Sequence, residues 1–325
     1  MLKVTVGRWC AGGLNPLVTK PMPDGKFTRK VGEMTDVSTA NWLAVEVQET
    51  RLQLWAMQGS SALETATAEG DAAQLSSVEA LDAILKTLTA PWDLPRLPAF
   101  VAGLPAGWAN AAPRAVPCDA IAQATTSVAT GNFDLQVISA LRQQTPSGLL
   151  QGAETRIAGF LSLNKDWDGV ICLPGATSVW AQVSAGEVVS FQTFLTGELL
   201  GHLGQGTPAE GTALDDTSFD DALSDGLSRP ERLAGRLASI RADLALGNVP
   251  PPTAEARLAG TLIGAELAAA RAYWLGQTLA VIGTGGATPL YLRALSQQGA
   301  PATEADGSRM TLAGICAVRR AVNGA

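Results

Sequence analysis

The stretch WLAVEVQETRLQLWAM, residues 42–57, sets two apolar-rich runs on either side of a polar turn at Gln48 to Thr50. Short runs of Val, Leu and Trp around such a turn predict neighbouring β-strands. The next segment has a different period. SSVEALDAILKTLTAPW places Val78, Leu81, Ile84, Leu85 and Leu88 at helical spacing, and Pro91 stops the helix. AFVAGLP, residues 99–105, then reads as a buried strand running into a Gly/Pro turn. Strands, helix and strand at this spacing predict an α/β layer rather than a helical bundle.

The same logic restarts at Asp166. DWDGVICLPG is a strand into a turn, TSVWAQVSAGEVVSFQTFLT is a hairpin around Ala185 and Gly186, and GELLGHL begins a helix. Two α/β units in tandem are expected, at 41–165 and 166–307, each with a mixed five-stranded sheet. Residues 1–40 mix Gly, Pro, Lys and Thr without periodicity and read as an extension. The charged, Pro-punctuated stretch 206–230 reads as loops and short helices. RPERLAGRLASIRADLAL and the Ala-rich TAEARLAGTLIGAELAAARAYW are helices, the second of buried type. LAVIGTGGATPLYLRALSQQG is a strand, a Gly-rich turn and a helix; the helix at 308–325 closes the chain and is expected to return to the first domain.

The chain's 325 residues exceed what one hydrophobic core usually organises, and 46% hydrophobic with 16% charged residues is a globular composition. A net charge of -7 without a basic cluster lacks the footprint of a nucleic-acid binder. Cys10, Cys118, Cys172 and Cys316 are far apart with no paired spacing, so neither a zinc site nor a disulfide scaffold is expected. No signal peptide is read at the N-terminus, and the apolar runs are too short and too interrupted for a membrane span. A cytoplasmic location is expected.

Five stretches carry a family resemblance: residues 42–55, GAET at 152–155, CLPGATSVW at 172–180, TFLTGEL at 193–199 and LIGAEL at 262–267. They resemble W-I-A-V-D-W-G-T-T-N-L-R-A-W, R-G-E-E-T, C-L-P-G-T-H-S-K-W, T-F-M-T-G-E-L and L-I-G-A-E-L of the 2-dehydro-3-deoxygalactonokinases, sugar-acid kinases of the actin-like ATPase superfamily. The resemblance covers residues 41–322. It implies a two-domain α/β fold of the actin-like ATPase (ribonuclease H-like) type, with mixed sheets and an interdomain cleft. ATP and Mg²⁺ are the implied cofactors, and the implied reaction phosphorylates 2-dehydro-3-deoxy-D-galactonate at its 6-hydroxyl. A homodimer is compatible with it.

Carried onto this sequence, the resemblance implies Glu46 as the carboxylate serving Mg²⁺ and catalysis, with Thr196 and Glu198 also catalytic. Thr50, Arg51, Gly175, Thr177 and Ser178 are the implied phosphate ligands. Gly264, Gly283, Gly285 and Gly286 are the adenosine positions, and Gly103, Gly107, Arg114 and Glu154 the substrate positions. Arg114 is the guanidinium nearest the stretch where the family has C-G-M-I-G-S-R and this chain has VAGLPAGW.

Each residue also has a plain structural reading. Residues 42–57 make an ordinary hairpin; Thr196 and Gly197 make a helix N-cap and first turn whose dipole Glu198 complements; Gly264 is a close-packed helix position and Glu266 a capped or solvated one; Trp108 packs in a core; His202 is an ordinary helical histidine. Two departures bear on activity. Glu49 puts a carboxylate in the phosphate turn, and Val179 stands where the family has a lysine. They predict weak or absent phosphoryl transfer, and leave open a kinase-fold protein that binds a ligand or partner without catalysis.

Overall fold

A computed structural model of the chain describes residues 18–21, 28–31, 36–49, 51–69, 77–204 and 215–324. An antiparallel pair, β1 (Val18–Pro21) and β2 (Thr28–Val31), lies within the expected extension. The strands β3 (Trp42–Gln48), β4 (Arg51–Gln58) and β5 (Ser61–Glu69) form an antiparallel meander. After it, α1 (Val78–Thr89) leads to β6 (Pro98–Ala102), which runs parallel to β3. The side chain of Ser77 caps α1 by accepting from the Ala80 N–H, and Leu81, Leu85 and Leu88 enter one core with Val45, Leu54 and Val101. Both faces of β3 and β4 are covered, which is why they read as near-continuous apolar runs.

Short strands come next: β7 (Arg114–Ala115), β8 (Cys118–Asp119), β9 (Thr126–Ala129) and β10 (Asp134–Val137). Beyond them lie β11 (Leu141–Gln143), β12 (Gly148–Leu150) and α2 (Ala153–Leu163). The first sheet has the order β5-β4-β3-β6-β10-β9, while β12-β11-β7 form a small sheet of their own.

The meander is repeated by β13 (Gly169–Leu173), β14 (Ser178–Ser184) and β15 (Glu187–Phe194). Its hairpin turns at Ala185 and Gly186, with φ of 51° and 80°, the left-handed pair whose twist suits a two-residue loop. Then come α3 (Thr196–Leu203), α4 (Asp216–Ser228), α5 (Leu233–Ala245), α6 (Pro251–Ala269) and α7 (Arg271–Trp274). The chain ends with β16 (Leu279–Gly283), α8 (Ala287–Gln297), β17 (Ala302–Asp306) and α9 (Gly307–Asn323). The second sheet has the order β17-β16-β13-β14-β15-β8.

With the edge strands β9 and β8 set aside, each sheet reads third, second, first, fourth, fifth in its own chain order, and only the second strand is antiparallel to the rest. The expected five-stranded sheets are present, each with one added antiparallel edge strand. This duplicated mixed sheet is the α/β actin-like ATPase fold. Ala120, Leu141, Leu150, Ile157 and Phe160 share a core with Ile171, Leu173 and Phe191, so residues on both sides of the expected 165/166 boundary pack together.

Two helix readings are corrected. The part of 206–230 that is described contains the 13-residue α4. Asp215 caps it by accepting from the Ser218 N–H, and the buried stripe Phe219, Leu223, Gly226 was hidden among acidic neighbours. The single helix expected at 253–274 breaks at Ala270 into α6 and α7. Helices α4 and α6 touch backbone to backbone: a Cβ on Gly264 would stand 2.4 Å from the Leu223 carbonyl oxygen. Helices α2 and α9 cross in the same way, a Cβ on Gly314 falling 1.9 Å from the Thr155 carbonyl oxygen. Among the described residues, no helix is long and apolar enough to cross a membrane.

Candidate functional site

Glu46 is paired in register with Ala102 across β3 and β6, near the C-terminal ends of both. The chain leaving β6 folds back over β3 because Gly103, at φ +83°, has no Cβ to strike the Val47 carbonyl oxygen. Gly152 packs in turn on Gly103, which sets the start of α2 above these strand ends. Arg156 of α2 then donates from Nη2 to Glu46 Oε1 at 2.8 Å, and Thr311 of α9 donates from Oγ1 to the same oxygen at 2.9 Å. Glu46 is 1% exposed, and its Oε2 has no protein partner. A buried carboxylate persists only with charge and hydrogen-bond compensation. One oxygen is satisfied and the other is left for a group from outside the chain.

In the second sheet β13, β16 and β17 are parallel, so Leu173, Gly283 and Asp306 end at one edge. Gly175 is exposed in the turn beyond β13 and Thr177 is half-buried. The N-terminus of α3 rides on that turn: Glu198 N–H donates to the Ala176 carbonyl at 2.9 Å, and a Cβ on Gly197 would meet the Gly175 oxygen at 2.1 Å. Behind the turn lies Glu266 of α6, 3% exposed. It accepts from Ser178 Oγ at 2.7 Å, Trp180 Nε1 at 2.8 Å and Tyr291 Oη at 2.8 Å, and from the Thr196 side chain. Burial pushes the Glu266 carboxyl up, against the pull of these donors.

This network corrects several expectations. Ser178 is fully buried and its hydroxyl is committed to Glu266, so it does not face a phosphate. The N-cap of α3 is Leu195, with no side-chain cap, because the Thr196 side chain is drawn to Glu266. Glu266 is neither capped nor solvated. Gly264 is not at a nucleotide turn but at the α4–α6 contact, its close-packed reading. Val179 is buried in a core with Leu173 and Phe191, while Glu49 is exposed.

The Gly283–Gly286 turn joins β16 to α8. Gly285 takes φ +90° and Gly286 is the N-cap residue of α8. Gly307, the first residue of α9, abuts Gly283 and Thr284, and one helical turn later Thr311 reaches Glu46. The first turn of α9 therefore links the Gly-rich turn to the buried carboxylate. Arg51, at the start of β4, is half-buried with an unpartnered Nε, and Thr50 lies outside the described residues.

Of the four substrate candidates, Gly107 stands on an exposed turn at φ +79°, and Gly103 is the residue that lets β6 fold back over β3. Arg114 and Glu154 come near enough to interact electrostatically. Glu154 is 1% exposed; its Oε1 accepts from the Gly152 N–H at 3.0 Å and from Thr155 Oγ1 at 3.3 Å, and its Oε2 has no partner. Burial raises this carboxyl to about 7, only partly offset by the Gly152 amide and the Arg114 charge. Arg114 donates from Nη1 to the Asp119 carbonyl at 2.6 Å, while its Nε and Nη2 have no partner. It lines a cavity of about 380 Å³ with Gln123, Thr125, Thr126 and Ser139. Trp108 is buried in the first core, in agreement with its packing reading, and His202 is exposed on α3.

Sequence reasoning missed Arg156 and Thr311. The first lies one residue past the GAET match; nothing in the terminal helix marked the second. Among the described residues no three His, Cys, Asp or Glu cluster as a metal site. Mg²⁺ commonly takes one or two carboxylates and completes its octahedron with water and phosphate. The lone Oε2 of Glu46 fits that use.

A model of the 2-keto-3-deoxy-galactonokinase family matches residues 49–318. A Rhizobium meliloti protein classed as a probable 2-dehydro-3-deoxygalactonokinase is 30% identical over 86% of this chain and 97% of its own length. The Escherichia coli 2-dehydro-3-deoxygalactonokinase is 28% identical over 87% of this chain and 99% of its own. The crystal structure of a Sinorhizobium meliloti protein taken to be such a kinase superposes with a TM-score of 0.75 at 27% identity, covering 86% of this chain and 96% of that one.

Proposed function

Because the chain belongs to the 2-keto-3-deoxy-galactonokinase family, we propose that it is an ATP- and Mg²⁺-dependent, cytoplasmic sugar-acid kinase acting on the 6-hydroxyl of 2-dehydro-3-deoxy-D-galactonate. The observation that carries the proposal is the half-satisfied Glu46 carboxylate, tied through α9 to the Gly-rich turn of the second sheet.

Arg156 and Thr311 hold Oε1 of Glu46, which leaves Oε2 to hold Mg²⁺ directly or through water. Once bound, the ion would neutralise charge on the transferring phosphoryl group. The exposed turn at Gly175 to Thr177 and the N-terminus of α8 behind Gly285 and Gly286 offer backbone N–H groups to the nucleotide's phosphates. Arg51, next to the turn that ends β3, is a candidate cation for the same phosphates. Glu198, half-buried in the first turn of α3, stands beside the Gly175 to Thr177 turn, its N–H donating to the Ala176 carbonyl. Arg114 lines a cavity of about 380 Å³ and supplies the positive charge there for the sugar acid's carboxylate. Thr125, Thr126 and Ser139 beside it suit the hydroxyls.

Phosphoryl transfer passes through a loose transition state, so positioning and charge neutralisation carry the rate. Of the two substitutions that argue for weak turnover, Glu49 weighs less because it is exposed and screened by solvent, while Val179 in the core leaves the family's lysine unreplaced. Turnover below the ordinary kinase range of about 1–100 per second is expected. The test is ³¹P NMR of the protein with ATP, Mg²⁺ and 2-dehydro-3-deoxy-D-galactonate. A new phosphomonoester coupled to the C6 protons supports the reading. ATP that binds but is never transferred would favour the non-catalytic alternative.

A further inference from the structure

Glu266 is a buried carboxylate whose hydrogen-bond donors are all neutral side chains. Ser178 Oγ at 2.7 Å and Tyr291 Oη at 2.8 Å reach its Oε2, Trp180 Nε1 reaches its Oε1 at 2.8 Å, and the Thr196 side chain donates as well. Three of these donors belong to the starts of elements around the proposed nucleotide site. Ser178 is the first residue of β14, directly after the turn at Gly175 to Thr177, and Thr196 is the first residue of α3, whose Glu198 N–H donates to that turn. Tyr291 stands one helical turn into α8, which begins at the Gly-rich turn. In the first turn of α8, Thr288 presses on Gly283, where a Cβ would meet its Oγ1 at 2.1 Å. The helix is thus seated on the end of β16 by Thr288 and aimed by Tyr291. Glu266 is the fixed member of the group: Gly264, two residues before it, is in backbone contact with α4 at the Leu223 carbonyl oxygen, so α6 has no room to follow a partner that moves.

We propose that Glu266 is a positioning residue for the nucleotide: it holds the turn between β13 and β14 and the turn between β16 and α8 at one fixed spacing, so that the phosphates of a single nucleotide engage backbone N–H groups of both. The proposal rests on the kinase reading of these turns. A carboxylate suits the task because both oxygens accept and neither donates, whereas an amide of the same shape turns N–H groups toward the donors on one side. Its burial is compensated by those donors, which lose their acceptor if it is removed. Donors held in this way fix the backbone they are attached to, and backbone N–H groups bind phosphate only where they converge on it.

The measurement is calorimetric titration of the full chain with a non-hydrolysable ATP analogue and Mg²⁺, alongside the KM for each substrate. Tyr291→Phe keeps the ring and removes the tie to α8, while Glu266→Gln disrupts the acceptor itself; if the latter fails to fold, Tyr291→Phe carries the test alone. In each folded variant the Kd for the analogue should rise on the order of tenfold to a hundredfold, with the KM for ATP following it and the KM for the sugar acid unchanged. Trp274→Phe is the control. It deletes the buried bond from Trp274 Nε1 to the Leu267 carbonyl, 2.8 Å long, in the same core but ahead of the N-terminal end of β16, at the other end of that strand from Gly283. It should lower stability in urea and leave the Kd for the analogue unchanged. An unchanged Kd in Tyr291→Phe overturns the inference and leaves the kinase reading standing. An equal rise in Trp274→Phe does the same, because lost stability rather than lost placement would then be the cause. If the unmodified protein binds no nucleotide, the kinase reading fails and the inference goes with it.

Discussion

At the scale of single residues, the site turns on buried carboxylates that differ in how they are compensated. Glu46 has a cation, so Arg156→Ala would leave an unpaired charge in a site that is 1% exposed. Unfolding in urea should show a loss of about 3–5 kcal/mol, and Thr311→Val, which removes one donor to the same oxygen, about 1–3 kcal/mol. Glu154 has no such partner and its carboxyl is raised from 4.5 to about 7. The folded state therefore holds this proton more tightly than the unfolded chain does. The resulting stability is fully present below about 4.5 and is lost as pH rises through about 7, on the order of 3 kcal/mol in all. Relative to Glu154→Gln, the unmodified protein should lose stability across that window and then run parallel to the variant. Glu46 and Glu154 were legible in the sequence because they sit in matched motifs. Their surroundings were not: Thr311 is 265 positions from Glu46, and no local pattern records such a contact.

Among secondary-structure elements, the strands and hairpins were legible because both sheets alternate or bury their apolar residues between clear turn signals. The stretch holding α4 read only as loops and short helices because its apolar stripe is two large residues wide among acids; those residues share a core with α6. The contact depends on absent side chains. In Gly264→Ala, the new methyl group would sit 2.4 Å from the Leu223 carbonyl oxygen. Backbone cannot yield there as a flexible side chain can, so a loss of about 1–3 kcal/mol is expected in chemical denaturation. Helix propensity alone argues the opposite sign, about 1 kcal/mol in favour of alanine. Gly235→Ala in the exposed α5, where no atom lies within 4 Å of the added Cβ, isolates that propensity and should stabilise. Equal effects at the two positions would mean that α4 and α6 are not in backbone contact.

For the whole molecule, the strands that follow Asp166 build a second six-stranded sheet. The equivalence of the two sheets became visible only in their strand order, because topology is set by which strands pair and not by residue identity. The crossover segment was illegible for a related reason: β8 is an edge strand of the second sheet, although it lies before α2 in the chain. The central claim is that the turns at the ends of β3, β13 and β16 act as one nucleotide site, joined by α2 and α9. Amide hydrogen exchange with and without a non-hydrolysable ATP analogue and Mg²⁺ tests it most directly. The account predicts that exchange slows together at 46–51, 174–178 and 283–288, three segments distant in sequence. Slowing confined to one sheet, or exchange unchanged by the nucleotide at all three, would contradict it.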